Sequence, residues 1–211
     1  MPVDPRCRSP QQLSQRQQYG KGGLGRWYWD FRDQAALAYI APRDRCILDL
    51  GCGEGITLER LVTQFSGRDI LGIDVMPENI AICLAHRLPA RLGDLYELDL
   101  PNNSQDVVLF FEVIEHLQEP EKALAEIHRL LRPDGKVIII IPNDLNMFLA
   151  RLLTLKFQES FFDPGHLRQW TPKQIFRILL GLGFQVLASR NIPFYFWPFS
   201  LHGLVVGIKS N

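Results

Sequence analysis

The sequence lacks the cysteine spacings and the long apolar runs that mark several classes of protein. Its four cysteines, Cys7, Cys46, Cys52 and Cys83, form no C-x-x-C pair, which disfavours a zinc site or a disulfide framework. No run approaches the roughly 20 apolar residues of a membrane helix, and the stretch MPVDPRCRSP at the start holds no signal-peptide core. We therefore expect no membrane span and a reducing, cytoplasmic compartment.

The sequence also lacks an excess of charge of either sign. Lysine plus arginine number 23, as do aspartate plus glutamate, so no net field draws the protein towards polyanions. Nucleic acid is therefore not the expected partner, although a local basic patch is not excluded. A length of 211 residues with a hydrophobic fraction of 46% predicts one folded domain. The oligomeric state is left open by these features.

Short apolar runs alternate with helical patterns along most of the chain. Such alternation predicts βαβ units and a parallel sheet. The run Val137–Ile141 is apolar on both faces, as expected for a central strand that helices cover on both sides. The predicted strands are Arg45–Leu50, Asp69–Asp74, Ala90–Asp94, Asp106–Glu112, Lys136–Pro142, Phe184–Ala188 and Leu204–Ile208.

The helical patterns and the composition predict a single domain behind a mobile segment. Residues 1–25, rich in Gln, Gly and Arg, are expected to be mobile. Residues 26–211 are expected to form the domain, with an apolar insertion at about 145–165. Within it we predict helices from near Asp30 to about Ile40, from Pro120 to Leu131 before the RPDG turn, and from Thr171 or Pro172 to Leu180.

The most specific motif is a glycine loop, ILDLGCGEG, at residues 47–55. Gly51 and Gly53 let the backbone turn tightly and approach a ligand without an intervening Cβ. Asp74 ends the next predicted strand, where a carboxylate suits the two hydroxyls of a ribose. The dinucleotide motif G-x-G-x-x-G requires a third glycine where Ile56 stands, so pyrophosphate binding and an NAD-dependent oxidoreductase are disfavoured.

These motifs together resemble those of a known enzyme family. DLGCGEG, GIDV, GDLYELDLPNNSQDVV, EVIEHL and LLRPDGKVIIIIPN follow one another as in class I S-adenosylmethionine-dependent methyltransferases of the ubiquinone-biosynthesis type, over roughly residues 45–190. The resemblance implies S-adenosylmethionine as the cofactor. It also implies a Rossmann-like α/β fold with helices on both faces of a seven-stranded, mostly parallel sheet of order 3-2-1-4-5-7-6, the last strand being antiparallel.

The resemblance also implies a role for each residue of the cofactor site. Gly51 and Gly53 would pass under the methionine part of the cofactor, Asp49 would lie near its amino group and Asp74 would bind the ribose. Asp49 could instead only order the loop. Cys52, between the two glycines, is also predicted to line the cofactor site, where it is better explained as a small loop residue than as a nucleophile. The remaining predicted cofactor-binding residues are Asp94 and Leu95 at the adenine, with Asp94 alternatively a turn residue, and Val75, Met76, Gly93 and Glu112.

The motif EVIEHL carries the predicted catalytic chemistry. Glu112, Glu115 and His116 stand at i, i+3 and i+4, so a helical turn would gather them on one face, and His166 could join them from a later loop. Similar sequences bind a divalent metal in ubiquinone-biosynthesis O-methyltransferases and in small-RNA 2′-O-methyltransferases. We favour no metal, keep these four residues as the alternative metal ligands, and regard His116 and His166 as candidate general bases, with a purely structural role also open.

Apolar and aromatic segments around the sheet are expected to select the methyl acceptor. They are the N-terminal flap with its aromatic cluster, the stretch Leu145–Phe162 and the stretch Ile192–His202. Their composition predicts a small, apolar or aromatic, hydroxylated molecule, with O-methylation ahead of N- or C-methylation. The same residues could instead close the core. The alternative functions are an RNA-terminal 2′-O-methyltransferase and a catalytically inactive cofactor-binding subunit.

Overall fold

A computed structural model describes residues 15–147, 167–194 and 196–210 of the chain. The strands are β1 (Cys46–Leu50), β2 (Asp69–Asp74), β3 (Ala90–Leu92), β4 (Gln105–Phe111), β5 (Leu131–Pro142), β6 (Phe184–Ile192) and β7 (His202–Lys209). The helices are α1 (Gln15–Gly20), α2 (Gly23–Leu37), α3 (Ile56–Gln64), α4 (Pro77–Ala85), α5 (Pro120–Leu130) and α6 (Pro172–Gly181), with 3₁₀ turns at Ile114–His116 and Trp197–Phe199.

The seven strands form one sheet in the order β3-β2-β1-β4-β5-β7-β6. Strands β1 to β5 pair in parallel with one another, whereas β7 runs antiparallel to both of its neighbours, β5 and β6. The predicted Rossmann-like fold class and its strand order are therefore confirmed.

The central strand β5 shows why its sequence is apolar throughout. Val137, Ile139 and Ile141 pack into the cluster that also contains buried residues of α5 and α6. Ile138 and Ile140 point to the opposite cluster, with buried residues of α2 and α3. Because successive strand residues face opposite sides, a strand covered on both faces must be apolar at every position.

The order of the strands fixes where a ligand can bind. β1 pairs with β2 on one side and with β4 on the other, and the chain leaves β1 and β4 at the same edge of the sheet. The helices that follow these strands lie on opposite faces, which opens a crevice at the carboxyl ends of the strands. The glycine loop after β1 and Glu112 after β4 therefore lie at the switch point of the topology.

Two predicted boundaries near the ends of elements are wrong. Helix α2 spans Gly23–Leu37 rather than starting near Asp30 and ending near Ile40, and residues 15–25 lie largely in α1 and the start of α2. Glycine disfavours helix on intrinsic grounds, but here Asp30 accepts hydrogen bonds from Tyr19 and Arg60, which join α1, α2 and α3. Tertiary contacts thus override the local preference.

Helix α5 ends at Leu130, just before the RPDG segment, as predicted, and that segment itself lies within β5. Between the pairs Gln105–Leu131 and Val107–Lys136, four residues of β5 oppose one residue of β4. Asp134 in this bulge has a φ of 63°. Residues 1–14 and most of the predicted insertion at about 145–165 lie outside the described residues. Within the described ranges, no helix is long and apolar enough to cross a membrane.

Candidate functional site

The glycine loop turns where only glycine fits. Gly51 has a φ of 79°, and a Cβ on it would collide with the side chain of Val113, the residue after Glu112. The backbone N–H groups of Gly51 and Cys52 both donate to the carbonyl of Ile73, at 2.7 and 3.1 Å. The loop after β1 is thereby tied to the end of β2, and at Gly51 it packs directly against the side chain of Val113.

Asp74, at the end of β2, organises the loops on both sides of it. Its Oδ2 accepts a hydrogen bond from the N–H of Gly53 at 2.8 Å. Its Oδ1 accepts from the N–H of Met76 at 2.9 Å and from Nδ2 of Asn79 at 3.0 Å. A carboxylate offers about four acceptor positions, so Asp74 retains capacity for one further donor, such as a ribose hydroxyl.

Asp49 is a buried acid in the same crevice. Its Oδ2 is buried and has no hydrogen-bond partner among the described residues. Burial raises the pKa of Asp49 to about 8, and the nearby carboxylates of Asp33 and Asp74 raise it as well, while Arg32 lowers it. A buried carboxylate that lacks a partner is stabilised in its charged form by a bound cation. Asp49 is therefore suited to an ammonium group.

The thiol of Cys52 points away from the open side of the loop. It lies against Gly72 of β2 and 3.9 Å from the carbonyl oxygen of Gly53, which Cys83 Sγ also approaches at 3.4 Å. Its hydrogen bond with Cys83 and its burial raise the pKa of the Cys52 thiol. The interpretation of Cys52 as a small loop residue rather than a nucleophile agrees with this environment.

The remaining predicted cofactor residues cluster beside Asp74. Val75 and Met76 follow it directly, and the N–H of Gly93 donates to its carbonyl oxygen at 3.1 Å. The carboxylate of Asp94 accepts from the N–H of Tyr96 at 2.9 Å, which gives it the turn role that we kept as an alternative. Leu95, half-buried, follows. These residues lie at the ends of β2 and β3, and their contact with a cofactor stays a prediction.

Glu112 departs from the helical turn that we predicted for EVIEHL. The turn covers only Ile114–His116, and Glu112 precedes it with a φ of 53°. Its carboxylate forms an ion pair with Arg32 and accepts a hydrogen bond at 2.9 Å from Nε2 of His202. The predicted helical turn therefore does not include Glu112, because its positive φ lies outside the right-handed helical region.

The alternative metal set is only partly described. Glu115 is buried in the turn, while His116 is half-buried, and His166 lies outside the described residues. Within the described part of the chain, no three His, Cys, Asp or Glu residues are grouped as a metal site would require. The catalytic roles of His116 and His166, and metal binding, stay predictions.

Sequence reasoning missed the polar residues that surround Glu112. Tyr28, Arg32 and Asp33 come from α2, and His202 is the first residue of β7; Asp33 accepts hydrogen bonds from Arg32 and Thr57. Arg32, Asp33 and His202 are buried. Only weak sequence features indicated these residues. One is a histidine directly before the apolar run GLVVGI, and the other is an Arg-Asp pair inside a helix that packs on the sheet.

Helix α1 lies over the glycine loop. Nε of Arg16 donates to the carbonyl of Glu54 at 2.6 Å, and Nη2 donates to that of Gly55 at 3.2 Å. The backbone N–H of Arg16 donates to Glu54 Oε2 at 2.8 Å, and Nη1 forms an ion pair with Glu59 at 2.8 Å. Gln15 Oε1 lies 3.0 Å from where a Cβ of Gly53 would be. The predicted N-terminal flap thus includes a helix that is bonded to the loop.

Exposed aromatic rings border the crevice on its other side. Trp27 stacks on Phe31 at 5.8 Å, and Phe31 lies 6.5 Å from Tyr28, whose ring stacks on His202 at 5.6 Å. The segment between β6 and β7 adds Phe194, Phe196 and Phe199, each more than half exposed. Tyr28 and Trp197 pack against the core clusters, as the alternative interpretation expects, whereas Trp27, Phe194, Phe196 and Phe199 are mostly exposed. Two surface clefts of about 560 and 530 Å³ lie elsewhere, one at the start of α6 and one between α2 and α3.

Comparisons with known proteins agree with this arrangement. Residues 48–139 match the family described as "Methyltransferase domain". A "Probable S-adenosylmethionine-dependent methyltransferase" of Mycolicibacterium smegmatis is 31% identical over 163 residues, which cover 75% of this chain and 60% of that protein. The chain thus spans about three-fifths of the length of this curated relative.

Solved structures share the fold at low sequence identity. A SAM-dependent methyltransferase from Archaeoglobus fulgidus superimposes with a TM-score of 0.70 at 19% identity, over 90% of this chain and 96% of that one. The [4+2]-cyclase SpnF superimposes with a TM-score of 0.64 at 19% identity, over 86% of this chain and 81% of that one. At such identities the likeness concerns the fold alone, since one fold supports more than one chemistry.

Proposed function

We propose that the chain transfers a methyl group from S-adenosylmethionine to a small, apolar or aromatic acceptor that carries a hydroxyl group, on the basis of its similarity to S-adenosylmethionine-dependent methyltransferases. The cofactor of this family is S-adenosylmethionine, which supplies the methyl group on a positively charged sulfur. Transfer is a direct displacement, so the protein must mainly align the acceptor and exclude water.

The described residues fit this cofactor on three grounds. The orphaned carboxylate of Asp49 suits the ammonium group of the methionine part. The positive φ of Gly51 forms the tight turn after β1, and the absence of a Cβ lets this turn pack directly against Val113 at the crevice. Asp74 has acceptor capacity for a ribose hydroxyl beside its three protein donors. The partnerless oxygen of Asp49 is the observation that carries the proposal, because a buried acid without a partner is costly unless a ligand completes it.

The proposed acceptor class rests on the rings around the crevice. Trp27, Phe31 and the phenylalanines of residues 194–199 present apolar surface, and the partly exposed carboxylate of Glu112 lies at the same edge of the sheet. An apolar wall with few polar groups is typical of sites for small organic molecules. O-methylation remains our first choice over N- or C-methylation, and cytoplasmic localisation remains a proposal.

Binding of the cofactor is tested by calorimetric titration of the purified protein. We expect binding of S-adenosylmethionine and of S-adenosylhomocysteine, and no appreciable binding of NAD. Asp74→Ala should weaken binding by about 30- to 150-fold through the loss of charge-assisted hydrogen bonds. Asp69→Asn, on the same strand but exposed, is the matched control and should bind as the parent does. Tight NAD binding without a response to either sulfur compound would overturn the proposal.

Methyl transfer is tested with S-adenosylmethionine labelled on its methyl group. Pools of small hydroxylated compounds and a pool of RNA serve as acceptors, each with and without a chelator. Label in the organic pool supports the proposal. Label in RNA would favour the RNA-terminal 2′-O-methyltransferase, and cofactor binding with no transfer to any pool would favour the inactive subunit. Loss of turnover in chelator with rescue by Mg²⁺ or Mn²⁺ would establish the metal alternative.

A further inference from the structure

Three side chains from distant parts of the chain form a continuous hydrogen-bonded row. The hydroxyl of Tyr28 lies 2.7 Å from Nδ1 of His202. Nε2 of His202 lies 2.9 Å from Oε1 of Glu112. Tyr28 comes from α2, His202 is the first residue of β7 and Glu112 follows β4. The row therefore runs along the carboxyl edge of the sheet, from α2 to the switch point between β1 and β4.

The chemistry of the three groups fixes the direction of every hydrogen bond in the row. An ionised carboxylate only accepts, so Nε2 of His202 carries the proton that is donated to Glu112. In the neutral ring Nδ1 is then an acceptor, and the hydroxyl of Tyr28 donates to it. Burial lowers the pKa of His202 and raises that of Tyr28, which agrees with a neutral ring and a protonated phenol. Each hydrogen bond of the row therefore points towards Glu112, which is the final acceptor.

Arg32 holds the same carboxylate from the opposite direction. Its guanidinium pairs with Glu112 and donates to Asp33 Oδ1 at 3.0 and 2.8 Å. Asp33 is in turn fixed by the hydroxyl of Thr57 at 2.9 Å. Glu112 is thus held by two buried donors on Oε1, in a backbone conformation that non-glycine residues seldom adopt. The surrounding residues thus fix both the carboxylate and the backbone of Glu112, as in preorganised sites.

Glu112 is more accessible than the two groups that hold its carboxylate. Its side chain is 34% exposed, against 6% for Arg32 and 2% for His202. The next residue, Val113, lies against Gly51, which the family resemblance places under the methionine part of the cofactor. Glu112 therefore lies beside the cofactor crevice, and the exposed rings of α2 and of residues 194–199 surround the same edge.

On this basis, and resting on the function proposed above, we propose that Glu112 accepts the hydrogen bond of the acceptor's attacking O–H group, with Tyr28, His202 and Arg32 as positioning residues that hold its carboxylate. The acceptor class follows from the charge. A hydroxyl donates to this carboxylate, whereas an acceptor that attacks through a carboxylate would be repelled by it. The row thus selects an alcohol or a phenol over a carboxylic acid.

The proposal is tested without knowledge of the acceptor, by comparing two cofactor analogues. Sinefungin carries a charged amine in place of the transferable methyl group, and S-adenosylhomocysteine lacks both. The charged amine would be attracted by the Glu112 carboxylate across the acceptor site, so the parent should bind sinefungin about fivefold more tightly, as for two opposite charges that water screens only in part. The readout is the ratio of the two dissociation constants in calorimetry, which a general loss of stability does not mimic.

Substitutions show which residues cause the preference for sinefungin over S-adenosylhomocysteine. Glu112→Gln should bring the ratio close to one. His202→Leu and Tyr28→Phe should lower it by a smaller factor, and His202→Gln, whose amide can still donate to Glu112, should restore part of it. Tyr39→Phe is the matched control, because Tyr39 lies outside the row, and should keep the parent's ratio.

Each outcome bears on the proposal. A ratio near one in the parent, or a parental ratio in Glu112→Gln, would overturn the role of Glu112. If Glu112→Gln abolished the ratio while His202→Leu and Tyr28→Phe kept it, the positioning role of the row would be refuted. If Glu112→Gln did not fold, the ratios in the His202 and Tyr28 variants would still decide. A parent that bound neither analogue would instead contradict the proposed function.

Discussion

The two sides of the crevice are built in different ways. On the cofactor side, Gly53 and Asp74 are bonded across 21 positions, and the loop geometry comes from glycines within one short motif. On the proposed acceptor side, Tyr28 and His202 are bonded across 174 positions, and Arg32 and Glu112 across 80. A site made from adjacent backbone leaves a motif in the sequence, whereas a site made from distant side chains leaves only isolated polar residues.

The two sides also differ in what stabilises them. The cofactor side depends on backbone conformations that exclude a Cβ, on backbone donors and on the acids Asp49 and Asp74. The acceptor side depends on buried charges that compensate one another, Arg32 against Glu112 and Asp33. A steric change should therefore damage the first side most. Removal of a single charge should damage the second side most.

The largest expected effect is at Gly51. Gly51→Ala places a Cβ against Val113 at a φ of 79°. The strained backbone and the overpacking should together cost about 2 to 5 kcal/mol of unfolding free energy, or a melting temperature lower by about 5 to 15 °C for a domain of this size. Binding of S-adenosylhomocysteine should be lost or severely weakened. Differential scanning calorimetry and titration measure the two effects.

The double variant Gly51→Ala/Val113→Ala sharpens this test. It removes the side chain that the new Cβ meets but leaves the unfavourable φ unchanged, so it should recover only part of the melting temperature lost through Gly51→Ala. Val113→Ala alone is the reference for that comparison. A Gly51→Ala protein that melted and bound cofactor like the parent would show that the loop adopts another conformation.

What the sequence could predict follows the same division. The strand order, the fold class and the clustering of Asp49, Gly51, Gly53 and Asp74 at one edge follow from local patterns and from the family resemblance. The start of α2 could not be predicted in this way. The glycines at 22 and 23 disfavour a helix, and the helix is stabilised by tertiary contacts of Asp30. The partners of Glu112 could not be predicted either, since no periodicity joins His202 or Arg32 to it.

The second prediction concerns the pH dependence of the cofactor side. Asp49 has a pKa of about 8, so it is largely protonated at pH 6 to 7, whereas a bound ammonium requires its charged form. The affinity for S-adenosylhomocysteine should therefore rise with pH up to about 8, by up to about tenfold per unit. Binding at pH 7 should release a proton, which titration in buffers of different ionisation enthalpy measures.

The stability of the free protein should change with pH in the opposite direction to its affinity for the cofactor. Because the pKa of Asp49 is higher in the folded state than in the unfolded state, its contribution is present at low pH and is lost as pH rises towards about 8. Asp49→Asn should remove this decline and also flatten the pH dependence of binding, at lower affinity. Asp69→Asn should keep both profiles. A parent whose affinity did not change between pH 6 and 7.5 would contradict the ammonium role of Asp49.

The smallest effect tests whether the cofactor side is as self-contained as its motif indicates. Arg16 reaches the glycine loop from α1, 38 positions away, and its bonds to the carbonyls of Glu54 and Gly55 are shielded, while its partner Glu59 is 54% exposed. Arg16→Met keeps the apolar stem but removes these donors, and should weaken S-adenosylhomocysteine binding by about 1 kcal/mol, or roughly fivefold. Glu59→Gln removes only the exposed ion pair, so it should change the affinity little. Equal losses in both variants would show that the ion pair, not the bonds to the loop carbonyls, holds α1. No loss in either would show that the loop binds its cofactor without α1, as its sequence motif alone indicates.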